Sequence, residues 1–251
     1  MPVLVSTHFG RPHYVKQSVK SLEKCEGIGR YTYIACLDRK DPEIVSIIDR
    51  SSLKTHICIN EKTLGVDLNT ERALKMGFEM DDFVILVEGD VVLGQDALNY
   101  YEWCRRQYQD DKTIFTVTAY SSLFHDGLDN EIQETANGTK LVKRRPYFSG
   151  VTFGIWRDRW NEVKDRWIDG THPISKQPMV NLGWDIRMRG FRGDRQEIFP
   201  LYSRANHIGL TDGLNSGYDN LNKVLLDEKW YFDNTYVKCW AEHGTDVDFI
   251  E

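Results

Sequence analysis

The chain has no run approaching the roughly eighteen consecutive apolar residues that a membrane-spanning helix needs. Its first residues enter the strand-like Val3-Leu4-Val5-Ser6-Thr7 directly, without the basic and apolar regions of a secretion signal. The expectation is a soluble protein with no membrane span and a cytoplasmic location. Cysteine is scarce as well. The five present (Cys25, Cys36, Cys58, Cys104, Cys239) are odd in number and never spaced C-x-x-C, so neither a disulfide framework nor a zinc site is indicated, and reduced thiols are expected. Glycine signatures for phosphate are missing: no G-x-G-x-x-G follows the first strand-like segment and no G-x-x-x-x-G-K-[ST] occurs. That weakens the Rossmann dehydrogenase and P-loop NTPase readings. There is no internal repeat, no low-complexity segment and no clear linker.

What is present is an ordinary globular composition, 251 residues with 41% hydrophobic side chains, enough to bury a substantial core. The net charge of −6 is unevenly spread. Residues 140–204 carry 14 Lys and Arg against 7 Asp and Glu, densest at Lys143-Arg144-Arg145 and at Arg187, Arg189, Arg192 and Arg195. This basic island suits an anionic ligand, a diphosphate or a nucleic-acid backbone; it equally suits a solvated face paired with the acidic tail.

Strand and helix signals alternate through the first ninety or so residues. Strands are predicted at Val3–Thr7, Tyr31–Leu37, Lys54–Ile59 and Phe83–Val87. Helices are predicted at Tyr14–Lys24, Pro42–Arg50 and Leu68–Met80. This pattern implies an α/β fold with a mostly parallel central sheet and helices on both faces. One more helix (Ala97–Gln109) and strand (Thr113–Thr118) follow. Beyond them, Ser121–Lys140 reads as a polar loop or lid, Tyr147–Ile155 as a strand, and Trp156–Trp167 as a helix with Trp156, Trp160, Val163 and Trp167 along a core-facing stripe. Trp184–Arg189 reads as a short helix, Glu197–Tyr202 as a strand, and the tail from Asn206 as Gly-, Asp- and Asn-rich with a late aromatic segment, Trp230–Trp240. A single domain over 1–251 is expected, with a nucleotide-like first half (1–120) and an irregular second half (121–251).

The most informative stretch is Phe83–Leu93, an apolar strand running into Glu88-Gly89-Asp90. Carboxylates beside a buried strand are costly unless a metal or counter-charge meets them, and ligands gather at the carboxyl ends of strands in open α/β sheets. Acids that are simply solvated, or that cap the next helix, are the alternative. Arg11 follows the first predicted strand, Asp38 the second and Glu88/Asp90 the fourth, so a cation, an acid and an acid pair converge on one crevice. A nucleotide diphosphate bridged by Mg²⁺ or Mn²⁺ would use all of them.

These residues carry a resemblance. Val3-Leu4-Val5-Ser6-Thr7-His8-Phe9-Gly10-Arg11, then Asp38 in Ala35-Cys36-Leu37-Asp38-Arg39, then Leu86-Val87-Glu88-Gly89-Asp90-Val91 resemble a GT-A glycosyltransferase, and more narrowly the N-acetylglucosaminyltransferase I family. Tyr147–Gly154, Gly183-Trp184-Asp185 and Ser203-Arg204 are similar to that family's acceptor half. The resemblance implies the GT-A fold and a metal-dependent, inverting transfer of a sugar from a UDP-sugar donor to a hydroxyl acceptor. It further implies that Asp38 reads the uracil ring, Arg11 reaches the diphosphate or base, and Asn69 approaches the nucleotide. Asp90 would hold the metal (Mn²⁺ or Mg²⁺) and Glu88 would face the sugar, with Asp185 matching the family's base. His207 sits where many GT-A enzymes place a late metal ligand; a structural histidine is the alternative. Asp194, Asp165 and Asp169 are rivals to Asp185.

Two departures stand out. Gly89 replaces the family's middle acid, which contacts the ribose, and the chain starts at the catalytic strand where the family carries a Golgi anchor. The basic island keeps a hydroxymethylated base of phage-type DNA open as acceptor, which would have to be flipped from a duplex. Other readings are a sugar-nucleotide nucleotidyltransferase, for which the loop His8–Pro12 supplies only one Gly and one Arg, and a non-catalytic nucleotide-sugar-binding module, which Gly89 suggests.

Overall fold

The computed structural model describes residues 1–121, 142–167, 183–201 and 203–209. Eight strands form one sheet in the order β3-β2-β1-β4-β8-β6-β9-β7. They are β1 (Val3–His8), β2 (Thr32–Leu37), β3 (Thr55–Ile59), β4 (Phe83–Glu88), β6 (Ile114–Val117), β7 (Val142–Arg145), β8 (Thr152–Trp156) and β9 (Gln196–Pro200). The first four run parallel, the geometry expected from the strand–helix alternation. β8 then enters antiparallel between β4 and β6, and β7 closes the far edge antiparallel to β9. β5 (Val91–Leu93) and β10 (Ala205–His207) make a separate two-stranded antiparallel ribbon.

Helices cover both faces. α1 (Pro12–Leu22), α2 (Pro42–Asp49) and α4 (Ala97–Tyr108) bury Val15, Leu22, Ile44, Ile48, Tyr100 and Tyr101 against Leu4, Ile85 and Val87 of the sheet. On the other face, α3 (Val66–Met80), α5 (Arg157–Val163) and α6 (Trp184–Arg192) place Leu74, Phe78, Trp160, Trp184 and Met188 against Val5, Val84 and Leu86. Successive residues of a strand point to opposite faces, so an uninterrupted apolar run is what a strand covered on both sides requires. Local signals fix the helix starts. Asp41 accepts from the backbone N–H groups of Glu43 and Ile44 ahead of Pro42, a side-chain N-cap with proline in the first turn. Within α3, Gly77 lets the helix approach the sheet: a Cβ there would lie 2.8 Å from Val84 and 2.9 Å from Val5.

Several expectations change. The strand expected at Phe83–Val87 stands as β4, but after the turn at Gly89-Asp90 the chain adds Val91–Leu93 as a strand of the separate ribbon. The expected strand Tyr147–Ile155 is confined to its second half and ends at Trp156; Gly150, at φ 77°, stands in the left-handed region that a strand does not use. Trp156 is therefore the end of β8, on the α4 side of the sheet, while Trp160 and Trp167 pack on the opposite side. The expected tryptophan stripe is divided between two faces. The helix over Trp156–Trp167 is α5 followed by a 3₁₀ turn, Lys164–Arg166. Val142–Arg145, noted in the sequence only for its charge, is an edge strand. The expected loop after Ser121, residues 168–182 with Asp169, and the tail including Trp230–Trp240 lie outside the described residues. Among the described residues no helix is long and apolar enough to cross a membrane.

Candidate functional site

In the parallel register His8 lies beside Leu37, and Thr7 beside Glu88. The residues that follow β1, β2 and β4 therefore emerge on one edge. They enclose a cavity of about 260 Å³ lined by Arg11, Asp38, Asn69, Glu88, Gly89 and Asp90 among others. All four residues expected to bind the nucleotide sugar, and the expected metal ligand Asp90, are thus brought together.

Past the turn, the β5–β10 ribbon pairs Val91 with His207, and the Ile208 N–H donates to the Asp90 carbonyl at 2.8 Å. This pairing carries a histidine from the far end of the described chain to the acid pair. Glu88, Asp90 and His207 each offer a ligand atom, and these atoms lie within 4.8 Å of one another. His207 Nε2 is 3.4 Å from one Asp90 carboxylate oxygen, and Arg11 Nη1 is 2.9 Å from the other. Burial alone would raise the Asp90 carboxyl, but the imidazole and the guanidinium outweigh it and hold Asp90 below the usual carboxylate range. Glu88 goes the other way. Burial lifts it well above its usual value, helped by the negative charges of Asp90 and Asp185 and opposed by Arg11. Two carboxylates and an imidazole form a mixed O/N donor set suited to a divalent cation such as Mn²⁺.

Asp38 is buried, and its carboxylate organises the loop that follows β3. One oxygen accepts from the Leu64 N–H at 2.7 Å and from Asn60 Nδ2 at 3.0 Å; the other accepts from the Gly65 N–H at 3.0 Å. A carboxylate has about four acceptor positions, so one remains for a ligand N–H. Asn69 is more fully committed. Its Oδ1 accepts from Asn60 and its Nδ2 donates to the Cys36 carbonyl, which leaves its amide bracing α3 against β2. Asn60, which also accepts from Arg72, joins Asp38 to Asn69. Sequence reasoning passed over Asn60, and its only signal was its position one residue past the third predicted strand.

Gly89 has a steric explanation. Its N–H donates to the Thr7 carbonyl, and a Cβ at this position would fall 2.6 Å from His8 Nδ1 and 3.0 Å from that carbonyl. His8 fills the place a side chain would need. The imidazole is held through Nε2 by Ser6 Oγ at 2.6 Å and Tyr33 Oη at 3.1 Å, while its Nδ1 is buried without a hydrogen-bond partner. Burial pushes the ring down to about 4, against the pull of Asp90, so it is neutral at physiological pH. His8 lines the cavity, a place the sequence reading gave only to a loop.

Asp185 lies in the first turn of α6, where acids favour the positive end of the helix dipole. It is near enough to Glu88 for their charges to interact. Gly150 approaches it so closely that a Cβ would lie 2.9 Å from the Asp185 Cβ, and Arg189 Nη2 stands 3.6 Å from its carboxylate. Asp67, at the start of α3, anchors this helix: its carboxylate accepts from the Trp184 N–H at 2.7 Å, its carbonyl accepts from Trp167 Nε1 at 2.9 Å, and Arg187 lies 3.5 Å away. Asp194 is exposed beyond the opposite end of α6, about 13 Å along the axis at 1.5 Å per residue. Asp165 is exposed in the 3₁₀ turn after α5.

Much of the basic island is paired within the fold. Arg145 is buried on Glu197, which also accepts from the Ser149 N–H and from Thr116. Arg187 is buried beside Asp67, Arg159 donates to the carbonyls of Tyr108, Gln109 and Asp111, and Arg204 is buried on Asp96. Arg144 pairs with Asp111 and Arg195 with Glu162. These contacts engage much of the island, while Arg189 stays half-exposed beside Asp185.

The sheet order and the acid turn at the carboxyl edge define the class: the chain has the GT-A fold, superposing on solved glycosyltransferases of that fold. One is the mannosyltransferase PcManGT of Pyrobaculum calidifontis, solved with GDP-Man and Mn²⁺. It matches with a TM-score of 0.57 and 12% identity, over 89% of this chain and 60% of that one. Another is S. aureus TarS with UDP-GlcNAc, at a TM-score of 0.52 and 13% identity, over 94% of this chain and 74% of that one. No family model matches the sequence. Among curated proteins, the chain is 23% identical over 128 residues to an alpha-1,3-mannosyl-glycoprotein 2-beta-N-acetylglucosaminyltransferase of Arabidopsis thaliana, in line with the resemblance read from the sequence. That match takes in half of this chain and 24% of the relative, so it spans about a quarter of the curated relative's length.

Proposed function

We propose that this protein is a metal-dependent, inverting glycosyltransferase that moves a sugar from a UDP-sugar to an acceptor hydroxyl. The observation that carries the reading is the meeting of Glu88, Asp90 and His207 within 4.8 Å beside the cavity at the carboxyl edge of a GT-A sheet. Similarity to an N-acetylglucosaminyltransferase and to structures solved with UDP-GlcNAc, or with GDP-Man and Mn²⁺, supports it.

In this reading Asp90 and His207 hold Mn²⁺ or Mg²⁺. The bound cation supplies charge neutralisation for the departing diphosphate. Arg11 faces the diphosphate, and Asp38, with its remaining acceptor position, takes the imide N–H of uracil. Asn69 keeps the base pocket in shape through Asn60 and Cys36. Glu88, raised by burial, faces the sugar. Asp185 removes the proton from the acceptor hydroxyl as that oxygen attacks the anomeric carbon; the bond from that carbon to the diphosphate oxygen breaks, UDP leaves with the electron pair, and the anomeric centre inverts. The acceptor is a hydroxyl compound; the buried pairing of Arg145, Arg187 and Arg204 gives a DNA acceptor no support. The proposed unit is one domain, its first half forming the nucleotide site and its second half the acceptor side.

A donor-hydrolysis screen over UDP-, GDP- and CMP-sugars, with and without Mn²⁺, tests the proposal. Metal-dependent release of UDP, abolished in Asp90→Asn, is expected. Absence of release from every donor would leave a nucleotide-sugar-binding module, and release indifferent to metal would remove Asp90 and His207 as ligands.

A further inference from the structure

Arg11 occupies an unusual place. It follows Gly10, and both residues are in the left-handed region, at φ 56° and φ 62°. For a non-glycine residue this conformation costs roughly 1 kcal/mol and persists where surrounding structure enforces it. Pro12 pins the next residue, and the Arg11 carbonyl accepts from the Tyr14 N–H to start α1. The result is a guanidinium set 2.9 Å from Asp90 and near enough to Glu88 to oppose its rise. With His207 3.4 Å from the other Asp90 oxygen, both oxygens of this carboxylate already face a partner supplied by the protein.

We propose that Arg11 is a built-in counter-ion that couples metal binding to nucleotide binding. Building on the proposed function, its guanidinium stands against the carboxylate that would take a divalent cation, so the cation and Arg11 compete for Asp90. The side chain is one-third exposed and lines the cavity, so a ligand entering the cavity can reach it. A diphosphate entering the cavity gives it a better partner, since guanidinium and phosphate oxygens match in charge and geometry. Asp90 is then released to the cation at the moment the donor arrives. Metal without nucleotide is held weakly, and nucleotide without metal meets an arginine engaged elsewhere. By linkage each ligand strengthens the other by the same factor.

The test is Mn²⁺ binding, followed by the loss of the free-ion electron paramagnetic resonance signal, with and without UDP. Wild type, Arg11→Met and Arg11→Asn would be compared, the last because asparagine tolerates left-handed backbone. Arg39→Met is the control: this cation stacks on Phe9 at the loop and has no ion pair with Asp90 among the described contacts. Both Arg11 variants are expected to bind Mn²⁺ alone roughly 10-fold tighter than wild type, with the enhancement by UDP reduced by the same factor, within the usual span of coupling. Arg39→Met should leave Mn²⁺ affinity within about twofold, as a screened charge would. Unchanged or weaker Mn²⁺ binding in both Arg11 variants overturns the coupling while leaving the metal site intact, provided wild type binds Mn²⁺ with UDP and Asp90→Asn does not. If wild type binds no Mn²⁺ even with UDP, the metal site and the coupling fall together.

Discussion

Gly89→Ala isolates the contact between the acid turn and β1. Gly89 does not require positive φ, so alanine there is limited by space and not by backbone conformation. The new Cβ would stand 2.6 Å from His8 Nδ1 and 3.0 Å from the Thr7 carbonyl, so the imidazole must retreat by about 1 Å to restore van der Waals contact. It cannot do so freely, because Ser6 and Tyr33 hold its other nitrogen. Loosening those two bonds costs about 1 kcal/mol each, and overpacking a tight core adds 1–3 kcal/mol. Replacing glycine recovers about 0.5–1 kcal/mol through the unfolded chain. The net expectation is a loss of about 2–4.5 kcal/mol, or roughly 4–18 °C in Tm for a chain of this size. Urea unfolding of wild type, Gly89→Ala, His8→Ala and the double variant would measure it as a cycle. In the His8→Ala background the penalty should fall below about 1 kcal/mol, since only the Thr7 carbonyl remains in the way. A Gly89→Ala protein as stable as wild type, or an equal penalty in both backgrounds, would refute the steric account of why the middle acid is absent.

Three further outcomes are expected. Asp185→Asn should lower kcat by roughly 10²–10⁴-fold, the usual weight of a general base, with UDP affinity by calorimetry unchanged, whereas Asp194→Asn should match wild type in both; the reverse pattern would move the base. Glu197→Ala should cost about 3–5 kcal/mol in urea unfolding, because it strands the buried Arg145 guanidinium; a loss under about 1 kcal/mol would mean that the side chain is not buried against its partner. Burial pushes the thiols of Cys25 and Cys36 up to about 12, so both stay protonated below that pH, and mass mapping after native labelling at pH 8 should find them unmodified while unfolded protein reacts fully.

The parallel half of the sheet was legible because each of its strands is a short apolar run between helix signals, and the convergence of Arg11, Asp38 and Asp90 followed from that topology alone. β7 was not, since Lys143-Arg144-Arg145 shows no strand alternation; it pairs at the edge because Arg145 has Glu197 to meet. Asn60 and Asp67 escaped notice because their importance lies in what they touch across the fold, in Asp38 and Asn69 for one and Trp184 for the other. The short strand after the acid turn, Val91–Leu93, escaped the sequence reading because its partner, Ala205–His207, lies more than a hundred residues away. Likewise, the pairing of Arg145, Arg187 and Arg204 depends on acids distant in sequence, which charge density by itself does not reveal.

The β5–β10 ribbon also sets an order of events. Its two strands are separated by more than a hundred residues, so the contact between His207 and Asp90 closes late, after a long loop has been ordered. On the ribosome, where N-terminal segments are made first, the cavity bounded by β1, β2 and β4 is encoded well before His207 emerges. A nascent chain would thus hold the cavity at the carboxyl edge before Glu88, Asp90 and His207 could meet.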